Sequence, residues 1–355
     1  MEVLLMKKIL KLTAVLLLFA FYGCSSSSAN ASDSSYANLG DLTLESGQIL
    51  KDCKIVYRIQ GTMNQDKSNI VLMLTWFSGT TQELIDMGYI GDGKVLDTKN
   101  YCVIAVDAIG NGVSSSPSNS VKQPYGAFPP FTVKDMVNSQ QILLTKFLGV
   151  KHVYAIAGIS MGGMQAFQWL VSYPDFMDRI ISINGSPYLS SYDMLAWSSE
   201  LAVIEAMRKW DTNNDDIMKA ITPIHQILLW SPSFRDANTK PEDLPAFIAA
   251  SEKELCKYNA FDWEWQLRAI YNHTILKGFD GSKEKAAAAV KARALIVTSP
   301  LDNAVYPGPS IEFAGLIKAQ TGQLSGDCGH FSFICDIVKL TGIVNGFLDS
   351  KSVGN

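Results

Sequence analysis

The chain has 355 residues, with 30 Lys and Arg against 34 Asp and Glu, a formal charge of −4 and no basic run beyond the first dozen positions. That balance excludes nucleic acid as an expected partner. With 47% hydrophobic and 10% aromatic residues and a mean hydropathy of +0.10, the chain has the apolar mass for a large packed core, which excludes a disordered tail; one catalytic domain with an insertion fits its length.

At the N-terminus, Lys7, Lys8 and Lys11 precede an apolar stretch over 12–22, followed by Gly23, Cys24 and a run of serines. A basic segment, a short apolar segment and a small residue at the cut read as an export signal. The apolar stretch is too short for a bilayer, which needs about 20 residues. Phe21-Tyr22-Gly23-Cys24 resembles a bacterial lipoprotein signal, which implies lipidation of Cys24, a membrane anchor and a periplasmic location; secretion as a free protein is the alternative. Residues 1–24 are therefore expected to be a signal segment, 25–37 a flexible tether rich in Ser, Ala and Asn, and 38–355 the folded domain.

Beyond the tether, runs rich in Val and Ile predict strands over 53–59, 70–76, 102–106, 153–157, 180–184 and 294–298. Helical patterns cover 81–87, 133–148 and 164–172. This alternation predicts a mostly parallel sheet with helices on both faces, whose ligand site lies beyond the carboxyl ends of the strands. Trp76, Asp107, Ser160 and Asp302 all fall there. The strand rhythm stops after Ser186 and resumes at Ala294. The intervening helices and loops hold Trp197, Trp210, Trp230, Trp263 and Trp265, and predict a helical cap at about 187–285. Most of these tryptophans are expected to build the cap's own core, and some to line an apolar substrate pocket.

Gly158-Ile159-Ser160-Met161-Gly162-Gly163 joins a predicted strand to a predicted helix. In a strand-turn-helix elbow the serine is held in a strained conformation that exposes its hydroxyl, and the glycines on either side let the turn close. Ser160 is thus the expected nucleophile. A neutral serine needs a base, and the base needs an acid to fix its tautomer. Of the four histidines, His152 lies at the wrong end of the elbow strand, and His225 and His273 fall in the cap. His330, after the last strand, is the expected base. Asp302 follows a late strand and completes the order serine, acid, histidine. Asp107 precedes the serine and suits a loop or substrate-positioning role, while Asp327 and Asp336 are the runner-up acids. For the oxyanion, the expected backbone donors are the N–H of Met161, at the start of the elbow helix, and that of Phe77, in the loop Trp76-Phe77-Ser78-Gly79-Thr80; such donors contribute roughly 3 kcal/mol each.

Five cysteines follow Cys24, an odd number that allows at most two disulfides in an oxidising compartment. Cys328 and Cys335 flank His330, where a bridge would brace the histidine loop; two buried thiols, the commoner arrangement, are expected instead. No cysteine has zinc-ligand spacing with a histidine, and no motif implies a metal or dinucleotide cofactor.

The block from Thr132-Val133-Lys134-Asp135-Met136-Val137 through the elbow to Tyr173-Pro174-Asp175 resembles the homoserine O-acetyltransferase family of the α/β-hydrolase fold. Gly110-Asn111-Gly112 with Ser114-Ser115-Ser116-Pro117, Asp302 with Val305-Tyr306-Pro307, and Gly329-His330 fit the same family. The resemblance covers most of the chain from about Leu39 and is weakest in the cap. It implies an α/β-hydrolase fold in which Ser160, Asp302 and His330 match the family's nucleophile, acid and base. In those transferases an aspartate after the histidine helps bind the amino group of homoserine, whereas this chain has Phe331. The segment 221–230 also lacks a recognisable counterpart of the family's Arg and Tyr that engage the amino acid. Acetyl-CoA, moreover, is a cytoplasmic metabolite and export removes the chain from it. The expectation is a serine-dependent acyl-transfer enzyme, foremost an exported hydrolase of small or medium acyl esters; a homoserine O-acetyltransferase-like acyltransferase using acetyl-CoA is the alternative, and a noncatalytic binding protein on the same fold a third.

Overall fold

The computed structural model describes residues 34–350. The signal segment, Cys24 and the tether through residue 33 lie outside the described residues. Ten strands form β1 (Ser35–Thr43), β2 (Ile49–Gln60), β3 (Ile70–Leu74), β4 (Ile90–Gly91), β5 (Leu96–Asp97), β6 (Cys102–Val106), β7 (Val153–Ile159), β8 (Met177–Ile183), β9 (Arg293–Thr298) and β10 (Gln320–Gln323). All but β4 and β5 make one sheet in the order β1-β2-β6-β3-β7-β8-β9-β10. From β6 to β10 every pairing is parallel, while β1 and β2 add an antiparallel edge. The residues read as the end of a tether, Ser35 to Ala37, instead begin β1 and pair with Tyr57, Val56 and Ile55 of β2.

The interior strands are buried on both faces, which is why they read as unbroken apolar runs. Ile70, Leu72 and Leu74 of β3 enter one core and Val71 and Met73 the other. The first core is roofed by α2 (Val133–Ile142) and α3 (Met161–Ser172). The second is covered by α1 (Thr81–Asp86) and by α12 (Ile337–Asp349), which follows the short α11 (Ser332–Cys335). The helix expected over 133–148 is α2 only as far as Ile142, and Leu143–Phe147 continues as a π-helical turn.

Between β8 and β9 lie α4 (Ser191–Arg208), α5 (Asn214–Leu229), α6 (Pro232–Asn238), α7 (Leu244–Leu255), α8 (Ala260–Tyr271) and α9 (Lys283–Ala288). A single bridge between Tyr188 and Thr274 ties the base of this helical insertion together. Its apolar residues Trp197, Leu201, Ile217, Ile221 and Trp263 join the α2–α3 side core, so the insertion is packed onto the sheet rather than held off it. α10 (Gly308–Leu316) packs against β9 on the α2–α3 face, with Phe313 edge-on to Phe167 of α3.

Candidate active site

Ser160 sits between β7 and α3 with φ 55° and ψ −119°, a backbone region costly for a residue with a side chain. The turn is held by close backbone approach. A Cβ on Gly158 would lie 2.1 Å from the Gly162 carbonyl oxygen, and one on Gly162 would lie 2.4 Å from that of Leu74. Both positions therefore require glycine, as the elbow pattern implies.

The three residues separated in sequence meet here. His330 Nε2 is 2.8 Å from Ser160 Oγ, and His330 Nδ1 is 2.7 Å from Asp302 Oδ2. All three side chains are buried. Asp302 is fixed in turn, because its Oδ1 accepts the N–H groups of Ala304 and Val305 at 2.9 and 2.8 Å. A carboxylate locked this way holds imidazole in the tautomer whose Nε2 faces the serine. The Phe77 and Met161 N–H groups donate to no protein acceptor among the described residues, leaving both free for an oxyanion.

Other sequence candidates fall elsewhere. Asp107 is buried at the end of β6 and accepts Thr81 N–H, Thr81 Oγ1–H and Asn111 Nδ2–H at 2.9, 2.8 and 3.0 Å. Burial pushes its carboxyl above the usual carboxylate range, against the opposing pull of those hydrogen bonds. It is a loop brace. Asp327 is exposed and contributes its carbonyl to Ser231, while Asp336 precedes α12 and accepts the N–H groups of Ser325 and Gly326. His152 is exposed beside Asp178. His225 is buried against Glu200 at 3.0 Å, and His273 against the Ser186 carbonyl at 3.0 Å.

Cys328 and Cys335 form a disulfide, in contrast to the expected pair of thiols. Their Cα atoms lie 6.5 Å apart because the turn from Gly329 through α11 folds back on itself, which puts the bond within the spacing a disulfide spans. Cys53, Cys102 and Cys256 are free thiols. Among the described residues no group of three or more His, Cys, Asp or Glu side chains converges as metal ligands do.

Aromatic rings surround the site. The Phe77 ring meets Trp197, His225 and Trp263, the last at 4.4 Å between centroids. Phe331 stands edge-on to Trp230 at 5.0 Å and to Phe333 at 5.8 Å. Three of the five cap tryptophans thus contact residues of the site, whereas Trp210 is exposed and Trp265 donates to the Phe128 carbonyl. Sequence reasoning gave Asn111, quoted only as part of Gly110-Asn111-Gly112, no role of its own and missed Gln266; both hold the loop carrying Phe77. Asn111 had a signal, since it lies between two glycines in the loop after β6. Gln266 had none.

A buried Ser-His-Asp constellation at the carboxyl edge of a parallel sheet, with free backbone donors beside it, defines an acyl-transfer enzyme of serine-hydrolase type. Residues 92–336 match the family described as alpha/beta hydrolase fold, and the chain belongs to that family. An ethyl acetate hydrolase of Pseudomonas veronii is 31% identical over 281 residues, covering 73% of this chain and 78% of that one. A homoserine O-acetyltransferase of Methanosalsum zhilinae is 28% identical over 358 aligned positions, covering 89% of this chain and 72% of that one. An acetylester hydrolase from Corynebacterium glutamicum has the same fold, with a TM-score of 0.82 at 23% identity over 89% of this chain and 95% of that one. Within the family, this chain is an esterase-like or homoserine O-acetyltransferase-like enzyme.

Proposed function

We propose that the protein is a carboxylic ester hydrolase for small or medium acyl esters, working through an acyl-enzyme on Ser160 and exported as a lipoprotein anchored through Cys24. The observation that carries the choice of hydrolysis is Phe331. The position after the histidine, where the resembling transferases hold an ammonium group with an aspartate, is here part of an aromatic wall with Trp230, Phe234 and Phe333. Apolar rings offer an alkyl chain a dry surface and offer an ammonium ion no carboxylate.

Ser160 Oγ attacks the ester carbonyl as His330 Nε2 takes its proton, and the resulting oxyanion receives the N–H groups of Phe77 and Met161. His330, stabilised as imidazolium by Asp302, returns that proton to the departing alkoxide, so the alcohol leaves and the acyl group stays on Ser160. Water then enters, gives its proton to His330 and attacks the acyl carbon. Collapse of the second tetrahedral intermediate releases the carboxylic acid and restores Ser160. The same acyl-enzyme would transfer to an alcohol acceptor if one displaced water, and the coverage of the M. zhilinae transferase supports this second reading.

The test is turnover of p-nitrophenyl acetate and butyrate by wild type and Ser160→Ala, with acetyl-CoA plus homoserine assayed in parallel. Ester turnover lost in the variant, without release of CoA, is expected. Homoserine-dependent CoA release would replace hydrolysis by transfer, and undiminished turnover in Ser160→Ala would overturn the mechanism. Labelling of intact cells with palmitate, lost in Cys24→Ala, is the expected result for the anchor.

A further inference from the structure

The helical insertion reaches each of the three loops that form the site. Asp193 of α4 accepts the N–H of Tyr306, in the loop that carries Asp302, at 2.8 Å. Ser231, which caps α6, donates its hydroxyl to the Asp327 carbonyl beside the His330 turn. The third contact is made by α8, and it falls on the loop that carries Phe77.

Two residues of α8 hold that loop. Trp263 packs its ring edge-on against Phe77, and Gln266 Oε1 accepts the N–H of Ser78 at 2.7 Å. Gln266 Nε2 donates to the Ile109 carbonyl at 2.9 Å, so the amide is bonded at both ends. It is fully buried, where each bond lost leaves an unpaired backbone group. Ser78 has φ 57°, an uncommon conformation for a residue with a side chain, and it directly follows the residue whose N–H is free. On its far side the loop is fixed by Asn111, which donates to the Gly79 carbonyl at 2.9 Å, and by Asp107 on Thr81. Phe77 is thus flanked by groups that each have a partner. The Ser78 N–H is turned toward the cap by Gln266.

We propose that Gln266 is a positioning residue for the oxyanion hole: by holding Ser78 in its left-handed conformation from the cap, it aims the Phe77 N–H at the oxyanion formed on Ser160. This rests on the reading of Ser160 as nucleophile and of Phe77 as an oxyanion donor. Gln266 touches no reacting atom, and its effect is on the transition state rather than on the ground-state ester.

The experiment compares wild type, Gln266→Met, Gln266→Glu and Ser160→Ala as full chains. It measures kcat and KM for p-nitrophenyl acetate and the affinity of an alkyl trifluoromethyl ketone, which forms a tetrahedral oxyanion on the serine. Methionine keeps the shape and loses both hydrogen bonds; glutamate keeps an acceptor for Ser78. The expected result for Gln266→Met is a fall in kcat of about 10- to 100-fold, with KM changed less than about threefold and ketone affinity weakened by the same factor as kcat/KM. Gln266→Glu should recover part of both. If Gln266→Met does not fold, parallel loss of kcat and ketone affinity in Gln266→Glu carries the test. Unchanged ketone affinity in folded Gln266→Met, or in both variants, overturns the positioning role. Full activity in Ser160→Ala instead overturns the reading of the site, so the two failures are distinguishable.

Discussion

Replacing Asp302 with asparagine tests the acid more sharply than removing it, because the surroundings of the carboxylate dictate how an amide would sit. Oδ1 accepts two backbone N–H groups, from Ala304 and Val305, while Oδ2 faces His330 Nδ1. An amide keeps its oxygen against the two N–H donors, which turns its NH2 toward His330. Nδ1 must then accept, and the proton of neutral imidazole moves to Nε2. In that tautomer His330 donates toward Ser160 and cannot take its proton. The amide escapes only by flipping, which strands two buried backbone donors at about 1–3 kcal/mol each. Taking about 4 kcal/mol for the pair leaves roughly one molecule in a thousand in the competent tautomer. We therefore expect kcat for p-nitrophenyl acetate to fall about a thousandfold in Asp302→Asn, with the thermal midpoint close to that of wild type and fluorophosphonate labelling of Ser160 slowed by a similar factor. A folded Asp302→Asn variant within tenfold of wild-type kcat would refute the tautomer argument and return Asp327 and Asp336 to consideration.

The disulfide Cys328–Cys335, at a sequence separation of 7, constrains the unfolded chain by about 2–3 kcal/mol of loop entropy. The Cys328→Ser/Cys335→Ser double variant should lower the urea midpoint accordingly and reduce kcat through a looser His330; an unchanged midpoint would mean that the bridge does not form in solution. Burial lowers the pKa of His273 to about 4, partly offset by its bond to the Ser186 carbonyl, so this ring stays neutral in the fold while the unfolded chain takes up a proton near pH 6.5. Its contribution is intact above pH 6.5 and is lost as the pH falls toward 4, amounting at most to about 3 kcal/mol. Urea titrations of His273→Gln should show a shallower loss of stability between pH 7 and 5 than wild type, and parallel curves would assign the acid sensitivity to other groups.

The parts of the fold that were legible in the sequence are those whose environment is uniform along several residues. β3 and β6 are buried at every position, and an apolar run of 5 residues is long enough for a buried strand and too short for a buried helix. β1 was not legible because its burial is irregular and its first residues continue the Ser-, Ala- and Asn-rich composition of the preceding segment. β10 reads Gln-Thr-Gly-Gln and has no apolar residue to announce it; it is a strand because β9 offers it a parallel edge. Ser160, Asp302 and His330, which the structure brings within hydrogen-bond distance of one another, could be picked out because each follows a strand, in the chain order expected of an α/β-hydrolase fold. The 328–335 bridge was not, since spacing permits a disulfide without bringing the sulfurs together. Gln266 was invisible for a different reason: its partner Ser78 is 188 residues away, and a glutamine on a buried helix carries no local mark of what it bonds.

The same contrast accounts for why the family is easier to read than the substrate. The elbow is set by close main-chain approaches, of Gly158 to Gly162 and of Gly162 to Leu74, so its glycines keep a fixed spacing that can be recognised once a strand and a helix flank it. In the proposed reading the choice between water and an alcohol acceptor falls to the cap, whose contacts with the site loops, such as Gln266 with Ser78 and Trp263 with Phe77, are long-range. In the proposed mechanism Phe77 contributes its N–H to the oxyanion hole, while its ring joins the cluster of Trp197, His225 and Trp263. A cap substitution that repacks Trp263 therefore moves the donor along with the pocket wall, and rate and specificity change together. Hydrolysis requires only that the wall admit water to the acyl-enzyme. Transfer requires in addition an acceptor-binding group that leaves Phe77 where it is, and the position after His330, for which the resemblance implies an aspartate in the transferases, is here Phe331, edge-on to Trp230 and Phe333.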